Sequence, residues 1–146
     1  MQTTAITKDT RLCISLAGRP SNVGTRFHNF LYAELGLDYV YKAFTTDDLP
    51  AAIGGIRALG IRGAGVSMPY KQDVIGLVDS LDDSALAISS VNTIVNTDGQ
   101  LRAFNTDYVA VVSLLASHGV PVDSTFVVFG SGGMARAVVA ALRDSG

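Results

Sequence analysis

Strand-like and helix-like segments alternate over the first 90 residues, and this pattern restricts the fold more than any other feature. Runs that are predicted to be strands lie at 11–16, 39–44 and 61–67, and segments with helical apolar periodicity separate them. Such alternation is typical of βαβ units and predicts an α/β fold, a mostly parallel sheet with flanking helices. Because crossovers between parallel strands are right-handed, the carboxyl ends of the strands share one rim, where ligands of open α/β sheets bind.

Capping residues predict where the helices begin and end. Thr25 can cap a first helix that ends at Gly36. A second helix is expected over residues 45–59, one or two short helices over 71–88, and another helix over 107–117.

Three Asn-Thr pairs fall within a short stretch, beginning at Asn92, Asn96 and Asn105. The middle pair precedes an Asp-Gly dipeptide between two strand-like runs, which predicts a β-hairpin. The first and third pairs lie at the two ends of this hairpin and have no turn to make. Their side chains are therefore either buried groups bonded to the backbone or groups that face a ligand.

Composition and charge exclude several classes of partner. The 146 residues are 48% hydrophobic and 16% charged, which is typical of a globular domain. The net charge of −2 gives no reason to expect nucleic acid or an anionic membrane as partner. Without a secretory signal or a membrane-spanning run, a cytoplasmic location is expected. His28, His118 and Cys13 are too far apart for a metal-ligand spacing, so no metal is expected.

A glycine-rich turn follows the run at residues 125–129, which is predicted to be a strand. Gly130-x-Gly132-x-x-Ala135 has the spacing of a dinucleotide-binding turn and leads into an apolar helix. Gly130 permits a tight turn, Gly132 lets backbone approach a pyrophosphate, and Ala135 lets the helix pack close to the strand. Similar turns also occur without a nucleotide, so the motif alone leaves both interpretations open.

This turn also predicts the domain organisation. We expect residues 1–120 to form a substrate-binding catalytic domain and residues 121–146 to begin a Rossmann NAD(P)-binding domain. A complete dinucleotide fold needs further strands and a ribose-reading residue about 20 positions on. We therefore expect residues 121–146 to be the first strand, turn and helix of a truncated domain.

Two charged residues are candidates for chemistry. Lys71 follows the third predicted strand, where it either touches a substrate oxygen or is a solvated surface lysine. Asp107 begins a helix, where an acidic residue is favoured by the helix dipole or as a cap. If the two side chains met in a cleft, the carboxylate would orient the ammonium, and the pair could exchange a proton with a hydroxyl or ketone.

Four motifs together resemble the shikimate dehydrogenase family: Ser67–Lys71, Ser90–Ile94, Phe104–Asp107 and Gly130–Gly133. Their order and separations fit that family over nearly the whole chain. The segment Ser15–Thr25 is similar to its divergent, shikimate dehydrogenase-like branch.

The resemblance implies an NADP-dependent oxidoreductase, with NAD as a possible alternative, that interconverts 3-dehydroshikimate and shikimate or a related cyclic hydroxy acid. Lys71 matches the family's catalytic lysine and Asp107 its partner. Asn92 matches the asparagine that bonds ring hydroxyls, and Ser67 stands where a ligand-binding threonine is usual. The residues that match the cofactor-binding turn are Gly130, Ser131, Gly132, Gly133, Met134 and Ala135.

The chain departs from the family's pattern near the expected carboxylate site. A Ser-x-Ser pair is usual there, and counting back from His28 puts Asn22 and Gly24 in its place. The alternatives for the replacement donor are Thr25, Ser21 and Ser15. Asn22 and Thr25 are therefore expected to bind substrate. Gly65 replaces a usual asparagine and Tyr108 a usual glycine.

Other interpretations stay open on the sequence alone. The chain could be a non-catalytic small-molecule binding domain or an inactive fragment of such an enzyme. Another two-domain dehydrogenase, such as the folate-linked type, is a weaker alternative, because the combined Asn-Thr motifs argue against it. The expected assembly is a monomer or a homodimer that binds a small-molecule substrate.

Overall fold

The computed structural model describes residues 5–145 and contains a six-stranded sheet with helices packed against it. The strands are β1 (Arg11–Leu16), β2 (Tyr39–Phe44), β3 (Gly63–Val66), β4 (Ser80–Leu81), β5 (Thr93–Thr97) and β6 (Gln100–Phe104). The helices are α1 (Asn22–Glu34), α2 (Leu49–Ala58), α3 (Asp83–Leu86), α4 (Thr106–Ser117) and α5 (Gly133–Asp144), with a 3₁₀ helix at Asp73–Leu77.

The sheet is mixed, with strand order β2-β1-β3-β5-β6-β4. β1 lies parallel to both β2 and β3, as the βαβ alternation predicted. β4 lies within residues 71–88, where only helices were predicted, and it is parallel to β6. The antiparallel pairs come from the hairpin, because β5 joins β3 and β6 then returns beside β5. Asp98 and Gly99 turn the hairpin with φ of 52° and 86°, the left-handed values that such a two-residue turn requires.

One face of the sheet carries the hydrophobic core. α2 lies on this face with Ile53 and Ile56 buried, and Val74 of the 3₁₀ helix is buried beside them. Asp48 caps α2 by accepting a hydrogen bond from Ala51 N at 2.9 Å. The buried core residues are Ile14, Leu16, Ile53, Ile56, Ile61, Ala64, Val66, Val74, Ala85, Val91, Ile94, Leu101 and Ala103.

The opposite face is covered by α1 over the first two strands. Ser21 is its N-cap and accepts a bond from Val23 N, so the prediction that Thr25 caps this helix is wrong. Ser21 has extended backbone, which a cap needs, whereas Thr25 already lies inside the first turn. Asn29 joins α1 to β2, because its side chain donates to Tyr41 O at 2.8 Å and accepts from Tyr41 N at 2.9 Å.

The loops that follow β1 and β3 lie against each other at the rim of the sheet. Gly18 N donates to Met68 O at 2.9 Å. A Cβ atom on Gly18 would lie 2.9 Å from Pro69 Cδ, closer than two such carbons approach in proteins. This contact needs a glycine, and it holds the turn that leads to Lys71.

Gly18→Ala should therefore lower the free energy of unfolding by about 1–3 kcal/mol, because the added methyl group overpacks the contact with Pro69. Urea denaturation measures this change. Gly54→Ala is the matched control, since Gly54 is exposed within α2 and an added Cβ there meets no other atom. The control should raise stability by about 0.5–1 kcal/mol. Equal effects of the two substitutions would contradict the close approach at Gly18.

The strand expected at residues 125–129 is not formed in the structure. A strand needs a neighbour for its backbone hydrogen bonds, and residues 5–145 pair no other segment with this one. The helix that follows, α5, forms as predicted and packs against Ile88 through Ala137 and Ala140. Within the described residues, no helix combines the length and apolar character that crossing a bilayer requires.

Candidate active site

Lys71 and Asp107 meet at the rim of the sheet, although 36 positions separate them in the chain. Lys71 Nζ lies 2.9 Å from Asp107 Oδ2, and each side chain is 22% exposed. The turn after β3 delivers Lys71, whose carbonyl accepts a hydrogen bond from Val91 N at 2.8 Å. The structure thus brings together the two residues that the sequence could only suggest as a pair, and it leaves both side chains partly exposed.

Asn105 explains why Asp107 is available to Lys71. Asn105 is the N-cap of α4, and its Oδ1 accepts from Asp107 N at 3.0 Å and Tyr108 N at 3.2 Å. It is 1% exposed, and its Nδ2 donates to Ser90 O at 2.9 Å. Since Asn105 takes the capping role, the carboxylate of Asp107 is not needed as a cap and points to the lysine.

Asn92 connects the start of β5 to the start of α4 through hydrogen bonds of its side chain. Its Oδ1 accepts from Thr106 N at 3.0 Å and from Thr93 Oγ1 at 2.9 Å. Its Nδ2 donates to Thr106 Oγ1 at 2.9 Å. An amide nitrogen carries two hydrogens, so one N–H of Asn92 remains for a ligand beside Asp107. Of the three Asn-Thr pairs, the middle one turns the hairpin and the outer two hold the ends of the site together.

A cleft of about 500 Å³ runs over the sheet face from α1 to the start of α4. His28 and Tyr41 line one side, Gly65 the floor, and Asn92 and Thr106 the other side. The His28 and Tyr41 rings stack with centroids 4.2 Å apart and an interplanar angle of 9°. Burial raises the pKa of Tyr41, which keeps its hydroxyl protonated and able to donate.

Sequence reasoning missed the role of Tyr41 in this cleft. The alternation of side chains along β2 predicts only that Tyr39 and Tyr41 lie on the same face of the sheet. No sequence pattern gives the strand register that brings Tyr41 near Gly65.

The remaining predicted substrate residues lie around this rim. Ser67 directly follows β3 with an exposed side chain, four residues before Lys71. Asn22 is exposed at the first position of α1, and Thr25 is half-buried in the same turn. Within the described residues, none of these three side chains hydrogen-bonds to the Lys71–Asp107 pair.

The glycine-rich turn leads directly into α5. Gly130 has φ of 123°, which side chains other than hydrogen rarely tolerate. Gly132 is the N-cap of α5 and supplies no side-chain bond, so the first N–H groups of this helix are free of a side-chain cap. A Cβ on Gly133 would lie 3.3 Å from Ser90 Oγ and 3.8 Å from Lys71 Cδ. The start of α5 therefore lies against the stem of Lys71.

Comparisons with known proteins identify relatives of this chain. Residues 22–94 match the family model described as the shikimate dehydrogenase substrate binding domain. The chain is 58% identical over 141 residues to a shikimate dehydrogenase-like protein of Haemophilus influenzae, covering 97% of this chain and 52% of that protein. It is 43% identical over 139 residues to a shikimate dehydrogenase (NADP(+)) of Streptococcus equi subsp. zooepidemicus, covering 91% and 47%.

The fold matches a solved structure as well. Shikimate 5-dehydrogenase from Thermus thermophilus, in complex with NADP(H) and shikimate, superimposes with a TM-score of 0.83 at 30% identity. The match covers 93% of this chain and 53% of that one. The chain thus spans about half the length of the proteins that it matches.

Proposed function

Because the chain belongs to the shikimate dehydrogenase family, we propose that it carries the substrate site of an NADP-dependent oxidoreductase that interconverts 3-dehydroshikimate and shikimate, or a related cyclic hydroxy acid. The observation that carries this proposal is the 2.9 Å contact between Lys71 Nζ and Asp107 Oδ2 at the rim of the sheet. In this proposal residues 1–120 bind substrate, and residues 121–146 begin the nucleotide-binding domain.

Lys71 handles the proton in the proposed reaction. Its ammonium group donates a hydrogen bond to the ketone oxygen and transfers a proton to it as the ketone is reduced. In the reverse direction the neutral amine accepts the hydroxyl proton. Asp107 holds the ammonium in one orientation through the 2.9 Å contact. The nicotinamide, when bound, supplies or accepts the hydride.

The neighbouring polar residues orient the ring of the substrate. Asn92 offers its free N–H beside Asp107, and Ser67 offers a hydroxyl from the end of β3. Asn22 and Thr25 lie in the first turn of α1, where the positive end of the helix dipole favours a carboxylate. We assign the ring hydroxyls to the first two residues and the carboxylate to the second two.

The cofactor phosphates are assigned to the glycine-rich turn before α5. The free N–H groups at the start of this helix support the assignment. Contact between Gly133 and the stem of Lys71 puts this turn next to the proton-handling pair. The residues assigned to the cofactor are Gly130, Ser131, Gly132, Gly133, Met134 and Ala135.

Steady-state assays on the complete gene product test the proposal. We expect oxidation of shikimate or a related cyclic hydroxy acid with NADP, followed by NADPH absorbance, and weaker activity with NAD. A panel of cyclic hydroxy acids with both cofactors identifies the substrate. The complete absence of turnover with every acid and both cofactors would remove the oxidoreductase assignment.

A second candidate is a small-molecule binding domain without catalysis, which the unpaired segment at residues 125–129 favours. Calorimetry on the 146-residue chain measures whether it binds a cyclic hydroxy acid and NADP on its own. If the chain is only the start of a nucleotide-binding fold, it should bind a cyclic hydroxy acid but bind NADP weakly. Tight binding of NADP by this chain would contradict the view that its nucleotide site is incomplete.

A further inference from the structure

Tyr41 reaches across β1 to the space above Gly65. Tyr41 pairs with Cys13 on β1, and Gly65 pairs with Ser15, two residues nearer the rim. A Cβ on Gly65 would lie 3.1 Å from Tyr41 Oη and 3.7 Å from Ser15 Cβ. The phenol ring therefore lies over β1, and its hydroxyl group occupies the place where any side chain at position 65 would begin.

Several contacts hold the Tyr41 ring in this position. His28 stacks on it at 4.2 Å, and the side chain of Asn29 bonds both the N–H and the carbonyl of Tyr41. The residue is 8% exposed, so the ring is fixed before any ligand arrives.

The Tyr41 hydroxyl has capacity left for a ligand. A phenol can donate one hydrogen bond and accept two, so a single neighbouring group does not occupy all of these positions. The hydroxyl lies above Gly65, and Gly65 pairs with Thr93, the first residue of β5. Asn92 directly precedes Thr93 in the chain. The hydroxyl therefore borders the same cleft as Asn92, on the opposite wall.

We propose that the Tyr41 hydroxyl binds an oxygen atom of the cyclic hydroxy acid, and that Gly65 leaves the room which this hydroxyl needs. This inference rests on the proposed function for the class of ligand. It makes Tyr41 a specificity-determining residue on the wall that faces Asn92. A ligand without an oxygen at this point leaves a buried hydroxyl unpaired and binds less well.

Tyr41→Phe tests the contact, with Tyr39→Phe as the matched control. Tyr39 lies on the same strand and face, but its hydroxyl accepts from Arg11 Nη1 at 3.2 Å, outside the cleft. Calorimetry with shikimate and 3-dehydroshikimate on the complete gene product gives the Kd. We expect Tyr41→Phe to weaken Kd about tenfold, the usual effect of one lost hydrogen bond, and Tyr39→Phe to leave it within about twofold.

A double-mutant cycle tests the part played by Gly65. Gly65→Ala pushes a methyl group against the hydroxyl and should also weaken Kd, whereas the same change in the Tyr41→Phe background should cost little more. Unchanged affinity in Tyr41→Phe, fully additive effects, or no binding of either acid by the wild-type protein would overturn the inference. Binding without NADP-linked turnover would overturn the oxidoreductase proposal alone. The Kd values would still test whether the Tyr41 hydroxyl contacts the ligand.

Discussion

Lys71→Ala should lower kcat of the complete gene product by about 10²- to 10⁴-fold, the range that a positioned proton-transfer group contributes. The substrate Kd should change much less, because the other polar groups of the rim remain. The fold should survive, since both partners of the Lys71–Asp107 pair are partly exposed and the freed carboxylate can be hydrated. Steady-state kinetics and a thermal melt measure the two effects.

Lys8→Ala is the matched control for this substitution. Lys8 also forms an ion pair with an aspartate, Asp9, at 2.8 Å, but the two side chains are highly exposed and far from the rim. The control should leave kcat unchanged. If Lys71→Ala kept the wild-type kcat, proton transfer by Lys71 would be ruled out, and if it unfolded the protein, Asp107→Asn would provide the kinetic test.

Asn105→Ala should destabilise the protein by about 3 kcal/mol, the largest effect on stability that we expect from a single polar side chain here. Loss of the N-cap of α4 costs about 1–2 kcal/mol. The buried carbonyl of Ser90 loses its donor, which costs about 1–3 kcal/mol more. Urea denaturation of the 146-residue chain measures the change.

Asn105→Ser separates the two contributions. A serine hydroxyl can accept from the first N–H groups of α4 but is too short to reach Ser90 O, so it should recover the cap alone. Its stability should fall between wild type and Asn105→Ala. Equal stability of all three proteins would contradict the idea that Asn105 fixes the start of α4, and with it the explanation of how Asp107 is oriented.

Local sequence patterns predicted the elements whose formation depends on their own residues. β1 and β2 match the predicted runs at 11–16 and 39–44. In β2 the aromatic and β-branched residues themselves favour a strand. The hairpin matches for the same reason, since Asp98 and Gly99 adopt the positive φ values that the turn requires. Gly130 likewise takes the left-handed conformation that a tight turn before α5 needs.

Elements that depend on distant partners were not predictable in the same way. The segment 125–129 has strand composition but finds no neighbour to pair with. Ser21 and Thr25 are both good caps, and only the path of the loop after β1 selects Ser21. The apolar residues Phe27 and Phe30 of α1 are more than half exposed, because Asn29 binds the backbone of β2 and turns the helix accordingly.

For the candidate site, too, some features were predicted from the sequence and others depended on the tertiary structure. The sequence by itself determined β1, β2, the hairpin, the glycine turn and, through four motifs, the identity of Lys71, Asp107 and Asn92 as candidates. Only the tertiary structure decided that Asp107 pairs with Lys71 and is not a helix cap, because Asn105 takes the capping bonds. It also decided that the Tyr41 hydroxyl lies over Gly65, since strand register and side-chain reach are set by contacts between segments far apart in the chain.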